Sequence, residues 1–243
     1  MPRLFTLTAL LVLAMFAPHA QGQERTALVG GRLIDGFGHA PINDSVILIY
    51  GDTILDVGTV DTLPVPESYS IVSTEGMDIL PGLWESHAHL MLAGHADYPH
   101  WDATYADRLA DEIMPAGAVQ LLLAGVTSAR DLGAPLDASQ SVKARVDSGE
   151  IPGPRLYMSG PFLQAQVEEW ESAFRWEVTS VADARQKVAA LDDAGMAIVK
   201  LVDQDKLPRD VAAAIVDEAH ARGMKVVAHS HRRMRYALAS KSA

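Results

Sequence analysis

Two histidines stand two residues apart in Pro81-Gly82-Leu83-Trp84-Glu85-Ser86-His87-Ala88-His89. Residues at that spacing on a β-strand project to one face, so His87 and His89 present two imidazoles together. Neutral imidazole nitrogens so placed can hold a divalent metal ion. They can equally be two polar residues at a strand end, hydrogen-bonded to backbone. Lys200 is the next unusual residue, set between Ala197-Ile198-Val199 and Leu201-Val202. A charged ammonium buried without a partner is costly, so a lysine in a core strand is deprotonated, paired or modified. The other reading lets its stem carry the amine to solvent, or pairs it with Asp203 or Asp205. His229 and His231 repeat the two-residue spacing at the end of Val226-Val227-Ala228, as ligands or as capped or exposed histidines. His95, His100 and His220 fall in loop or helix and read as ordinary surface residues.

The elements that must position these groups change character along the chain. From Thr26 to Leu80 the signals are β: strands over Ala27–Gly36, Ser45–Asp52 and Thr53–Gly58, the last two a hairpin, and a short strand over Ser70–Ser73. They read as a small antiparallel module, and Met77–Leu80 reads as the strand leading into the histidines. Beyond His89 strands alternate with helices. Helical spacing covers Ala103–Leu123, Asp137–Gly149, Val181–Ala194 (Ser180 as N-cap) and Arg209–Arg222. Strands lie at Gly125–Ala129, Arg155–Ser159, Met196–Val202 and Lys225–His229. Such alternation implies right-handed βαβ units around a parallel sheet covered on both faces. His87 and His89, Lys200 and His229 then share one address, the C-terminal ends of parallel strands, where an α/β barrel builds its sites.

Smaller features fit this frame. Arg130-Asp131, just past a strand, reads as a local ion pair bracing a loop, with substrate contact the minor option. Pro161–Gln166 reads as the loop after the third barrel strand and a wall of the pocket. The acidic run Val167–Glu171 reads as a solvated loop or helix start. No Gly-x-Ser-x-Gly elbow or glycine-rich phosphate loop is present, and Gly30-Gly31 lies in a β-rich segment.

The chain has 243 residues, no cysteine and a formal charge of −11. Residues 1–22 read as a secretory signal peptide: Arg3, an apolar run from Leu4 to Phe16, and Ala20-Gln21-Gly22 at the cleavage site. The run is too short for a stable membrane span, so an exported, periplasmic or secreted protein without a membrane anchor is expected. Arg3 is the only charge in that segment, so its removal leaves the protein more acidic still. That balance argues against nucleic acid and anionic membranes as partners. Without cysteine, a metal site must use His, carboxylate or modified side chains.

Taken in order, these motifs resemble the amidohydrolase superfamily, in its imidazolonepropionase-like and prolidase-like branch. The matching residues are Leu80-Pro81-Gly82-Leu83 with His87-Ala88-His89, and Gly125-Val126-Thr127-Ser128-Ala129-Arg130-Asp131. Gly153-Pro154-Arg155, Ile198-Val199-Lys200 and Val227-Ala228-His229-Ser230-His231 continue the series over roughly residues 26–243. The resemblance implies a metal-dependent (β/α)8 barrel joined to a small β-sandwich. By it, His87 and His89 bind the more buried of two divalent metals, Lys200 takes up CO2 as a bridging carbamate, and His229 binds the second metal. His231 has no ligand role in that pattern and is read as supporting the ligands from behind or as facing the substrate. Zinc is the default metal, since mixed histidine and oxygen ligands suit it. The implied reaction is hydrolysis of a C–N bond in an amide, cyclic amide or dipeptide.

Two departures qualify the resemblance. Glu85 stands where an aspartate is more usual. The sequence also lacks the sixth-strand histidine ligand and the eighth-strand aspartate that serves as general base, so no catalytic residue is identified. The expected architecture is therefore α/β: a signal peptide over 1–22, part of a β-sandwich over 23–78, and an incomplete TIM-type barrel of about five βα units over 79–243. A typical complete barrel needs about 250 residues. Little or no activity is expected of these 243 residues, with an exported, non-catalytic metal- or ligand-binding remnant as the alternative. The partners expected are a small amide or peptide substrate and a second copy of the chain.

Overall fold

The computed structural model describes residues 24–94 and 96–229. The signal peptide expected over 1–22, His95, His231 and the rest of 230–243 lie outside the described residues. The chain divides into two compact units, one through Pro81 and one from Gly82.

The first unit is a five-stranded sheet built from β1 (Arg25–Leu33), β2 (Ile42–Tyr50), β3 (Thr53–Thr59), β4 (Ser70–Ser73) and β5 (Asp78–Ile79). The order is β3-β2-β1-β4, with β5 also on β1. The expected hairpin is present: β2 and β3 pair antiparallel through Tyr50↔Thr53, with Gly51 at φ 59° in the turn. The purely antiparallel module is not. β4 and β5 run parallel to β1, because residues 60–69 carry the chain back before it re-enters the sheet. Ala27, Val46 and Leu48 form its small core. The strand expected over Met77–Leu80 shrinks to Asp78–Ile79, which pairs with β1. Pro81 has no N–H to continue a ladder, so the histidine strand starts afresh after it.

The second unit begins with β6 (Leu83–Ala88), followed by α1 (Tyr98–Tyr105), α2 (Met114–Leu123), β7 (Val126–Asp131), α3 (Leu136–Asp147) and β8 (Arg155–Met158). It continues with β9 (Phe162–Gln164), β10 (Arg175–Glu177), α4 (Val181–Asp193), β11 (Ile198–Val202), α5 (Arg209–Ala221) and β12 (Lys225–His229). Every strand pair in it is parallel: β6 with β7, β7 with β8, β9 with β10 and β11, and β11 with β12. Ala197 N–H donates to Met158 O at 3.0 Å, linking the edge of β8 to the start of β11. The core between strands and helices is closely filled by Met114, Leu156, Leu163, Leu191 and Ile215. The architecture is mixed α/β, and among the described residues the parallel strands form an open series.

Local chemistry explains where the sequence reading and the structure part. The single helix expected over Ala103–Leu123 is broken into α1, a 3-10 turn at Ala106–Arg108, a π turn at Leu109–Ile113 and α2. Pro115, in the first turn of α2, has no N–H for a continuous ladder, and the wider π turn absorbs the mismatch. The loop expected over Pro161–Gln166 contains β9, drawn into the sheet by three buried residues and paired at Leu163↔Leu201. The acidic run does start a helical turn at Glu169–Glu171, closed by a capping box with Glu168. Ser180 caps α4, accepting the Asp183 N–H at 3.2 Å. Two glycines allow close approaches: a Cβ at Gly82 would lie 2.0 Å from Thr127 Oγ1, and one at Gly133 2.1 Å from Phe162 Cζ.

Candidate functional site

The second unit brings His87 and His89 together and sets Lys200 and His229 around the cavity that His89 lines. His87 lies on β6 and His89 one residue beyond it, yet their Nε2 atoms converge to 3.1 Å. Glu85 shapes that strand end, its carboxylate accepting the His87 N–H at 2.9 Å. Leu90, the next residue, donates its N–H to Asp131 Oδ1 at 2.9 Å. The pair is thus held by backbone contacts on both sides.

Both rings are pushed toward their neutral form, the more buried His89 furthest. His89 is pushed down to about 4, chiefly by desolvation and then by the neighbouring His87, Lys200, Arg175 and His229. His87 is lowered for the same first reason, with Lys200 and His229 adding to it and Glu85 opposing. Neutral imidazoles offer lone pairs at pH 7, the state a metal ligand needs.

Lys200, in the middle of β11, is only 1% exposed. Its Nζ has no hydrogen-bond partner, and burial lowers its pKa. Neither bland expectation for it holds: the stem does not reach solvent, and Asp203 pairs with Lys206 at 2.6 Å. His89, Lys200 and His229 border one cavity of about 470 Å³. His87 faces an adjoining cleft that His89 shares. His231 lies outside the described residues. His100 and His220 are exposed, as expected.

The donor set can be tested against a metal ion. Two imidazole nitrogens each about 2.0–2.1 Å from one tetrahedral ion stand roughly 3.3 Å apart, close to the separation seen. Burial shifts the orphaned Lys200 amine beside them toward its neutral form, the form that can react with CO2 to give an oxygen ligand. Among the described residues, no group of three or more His, Asp or Glu side chains gathers at ligand spacing. The set therefore fits a metal only with the lysine included.

Asp131 departs from its sequence reading. It does not pair with Arg130, because successive strand residues point to opposite faces. It is 1% exposed, and its Oδ2 has no partner. Desolvation raises its pKa to about 7 against the opposing Leu90 hydrogen bond. Sequence reasoning also missed Arg175, whose guanidinium lies over the rings of Phe162 (5.0 Å) and Phe174 (5.5 Å). Nothing in the local sequence marks it, since β10 has only three residues.

Comparison with known proteins settles the lineage. The model of the amidohydrolase family matches residues 79–235. The chain belongs to the amidohydrolase family. Among solved structures it is similar to a prolidase complexed with N-methylphosphonate-L-proline, at 25% identity and TM-score 0.77. That match covers 89% of this chain and 59% of the other. It is also similar to an Aspergillus niger ochratoxinase (22% identity, TM-score 0.75, 90% and 58% covered) and to a molinate hydrolase (22%, 0.71, 86% and 54%). At those identities the last two likenesses show the fold alone. This amidohydrolase spans less than three-fifths of each of these three structures. No curated protein matches it significantly.

Proposed function

We propose that this amidohydrolase is a metal-dependent hydrolase of a C–N bond in an amide, cyclic amide or dipeptide. The observation that carries the reading is the convergence of the His87 and His89 Nε2 atoms near the buried, unpartnered Lys200 amine. His87 and His89 would hold one divalent metal ion and His229 a second, with zinc as the default, together with Lys200 as its carbamate. In forming it, the neutral Lys200 nitrogen bonds to the carbon of CO2 and releases a proton to solvent. Burial lowers the pKa of that amine and so favours its uncharged form, the nucleophile this addition needs.

Bound there, a divalent ion supplies Lewis acidity toward the scissile carbonyl and lowers the pKa of water toward neutrality. Glu85 fixes the backbone at His87, and Asp131 fixes it at Leu90, so both imidazoles stay aimed at one point. The cavity beside them is mostly walled by apolar side chains, which restricts water around the substrate.

In this reading the open series of parallel strands, with the helices between them, is the N-terminal portion of a (β/α)8 barrel, and the sheet of residues 25–79 is part of a β-sandwich. Turnover by these 243 residues alone is proposed to be slight, because none of their carboxylates is assigned as general base. Residues 1–22 are proposed to direct export. An N-terminal sequence of the protein from its host beginning at Gln21 or Gln23 supports export; one beginning at residue 1 or 2 overturns it. Carbon-13 NMR of the zinc-loaded chain in labelled bicarbonate tests the centre. A carbamate signal present in the wild type and absent from Lys200→Met supports the reading; no signal in either chain contradicts it.

A further inference from the structure

The cavity beside His89 and Lys200 is walled mostly by apolar side chains. Met91 and Leu92 line it after the histidines, Trp101 from α1, and Phe162, Trp170 and Phe174 from the β9–β10 region. The apolar wall begins at the candidate centre itself, where the His89 and Phe162 rings lie 5.7 Å apart. Phe162 continues to Phe174 at 6.2 Å, and Phe174 to Trp170 at 6.0 Å, both edge-on. On the far side Trp101 stacks flat on Tyr105 with 5.9 Å between ring centroids, which fixes its plane. Gly94 packs against that indole, since a Cβ there would lie 3.0 Å from Trp101 Nε1.

The one arginine on the wall is already engaged. Arg175 donates from Nη1 to Gln164 Oε1 at 2.7 Å, and its Nε lies 3.1 Å from Glu171 Oε1. With Glu171 beside it and two phenyl rings against it, Arg175 is a neutralised part of the wall. Asp102, the other acid on the wall, is held toward its neutral form by burial.

We propose that this cavity selects an amide bearing a large apolar side chain, aromatic or branched aliphatic, next to the bond to be cleaved. The inference rests on the hydrolase reading for the position of that bond, and on the wall alone for the side-chain preference. A cavity of about 470 Å³ falls in the range of small-molecule sites, so it accommodates a group of this size. In an apolar pocket each added methylene improves binding by roughly tenfold or more.

The test is binding of four neutral probes to the 243-residue chain by calorimetry: the N-acetyl amides of phenylalanine, leucine, alanine and asparagine. The first two are expected to bind at least about tenfold more tightly than the alanine probe, and the asparagine probe no better than alanine. Trp101→Ala should reduce the phenylalanine-to-alanine ratio. Leu92→Asp, at an exposed position that folding tolerates, should do the same. Equal affinities, tighter asparagine binding, or no binding of any probe overturns the proposal. Zinc titration separates the two ideas. Apolar preference without zinc binding removes the hydrolase reading and keeps this one; zinc binding without apolar preference does the reverse.

Discussion

Asp131 offers a quantitative check on the interior of this protein. It is buried at the end of β7, with Oδ1 bonded to the Leu90 N–H and Oδ2 without a partner. Desolvation raises its pKa from 3.8 to about 7 in the folded chain. Below about pH 4 the carboxyl is protonated in both folded and unfolded states and costs nothing. Between about pH 4 and 7 the unfolded chain ionises while the folded one does not, so stability falls as pH rises. Above about pH 7 the penalty is complete. Some three pH units at about 1.4 kcal/mol each give on the order of 4 kcal/mol. Asp131→Asn keeps the shape and the acceptor for Leu90 but cannot ionise. Urea unfolding followed by circular dichroism from pH 4 to 8 should find the two chains similar at pH 4. The variant should become more stable by a few kcal/mol at pH 8. A constant gap, or a less stable variant at pH 8, would refute the argument and mean that Oδ2 has a partner.

Three further outcomes follow from the same geometry. Lys200→Met removes the orphaned amine at similar volume, so the metal-free protein should gain about 1–3 kcal/mol at pH 7 and melt higher. Because burial lowers the lysine pKa, that gain should shrink as pH approaches about 10.4; a lower melting temperature would count against it. Gly133→Ala should cost about 1–3 kcal/mol in urea unfolding and disturb the Phe162 ring, since its Cβ would sit 2.1 Å from Cζ. His89 titrates near 4 when folded and near 6.5 when unfolded, so the wild type should lose stability between pH 6.5 and 4 relative to His89→Ala. Parallel stability curves for those two chains would mean the ring is solvated.

Much of this arrangement was legible in the sequence because it depends on local pattern. The apolar strands that carry Lys200 and His229, the two-residue spacing of His87 and His89, and the Ser180 cap each follow from a few adjacent residues. The losses were non-local. The run Phe162-Leu163-Gln164 is too short to announce a strand, and only pairing with β11 makes it one. Arg175 joins the cavity through its neighbour Phe174 and through Phe162, 13 residues back in sequence, and only the fold brings the second ring to it. Asp131 looked like half of an ion pair because its neighbour is Arg130, and alternation along β7 sends the two apart. The break of the expected Ala103–Leu123 helix was readable in principle from Pro115, but the apolar spacing on either side masked it.

The central claim is that His87, His89, Lys200 and His229 form one metal centre. It is tested most directly by zinc calorimetry on the metal-stripped chain, in bicarbonate, beside His87→Ala, His89→Ala and Lys200→Met. The account predicts saturable binding by the wild type and a drop in affinity of at least about tenfold in each variant. Identical isotherms for all four proteins, or no uptake by the wild type, would contradict it.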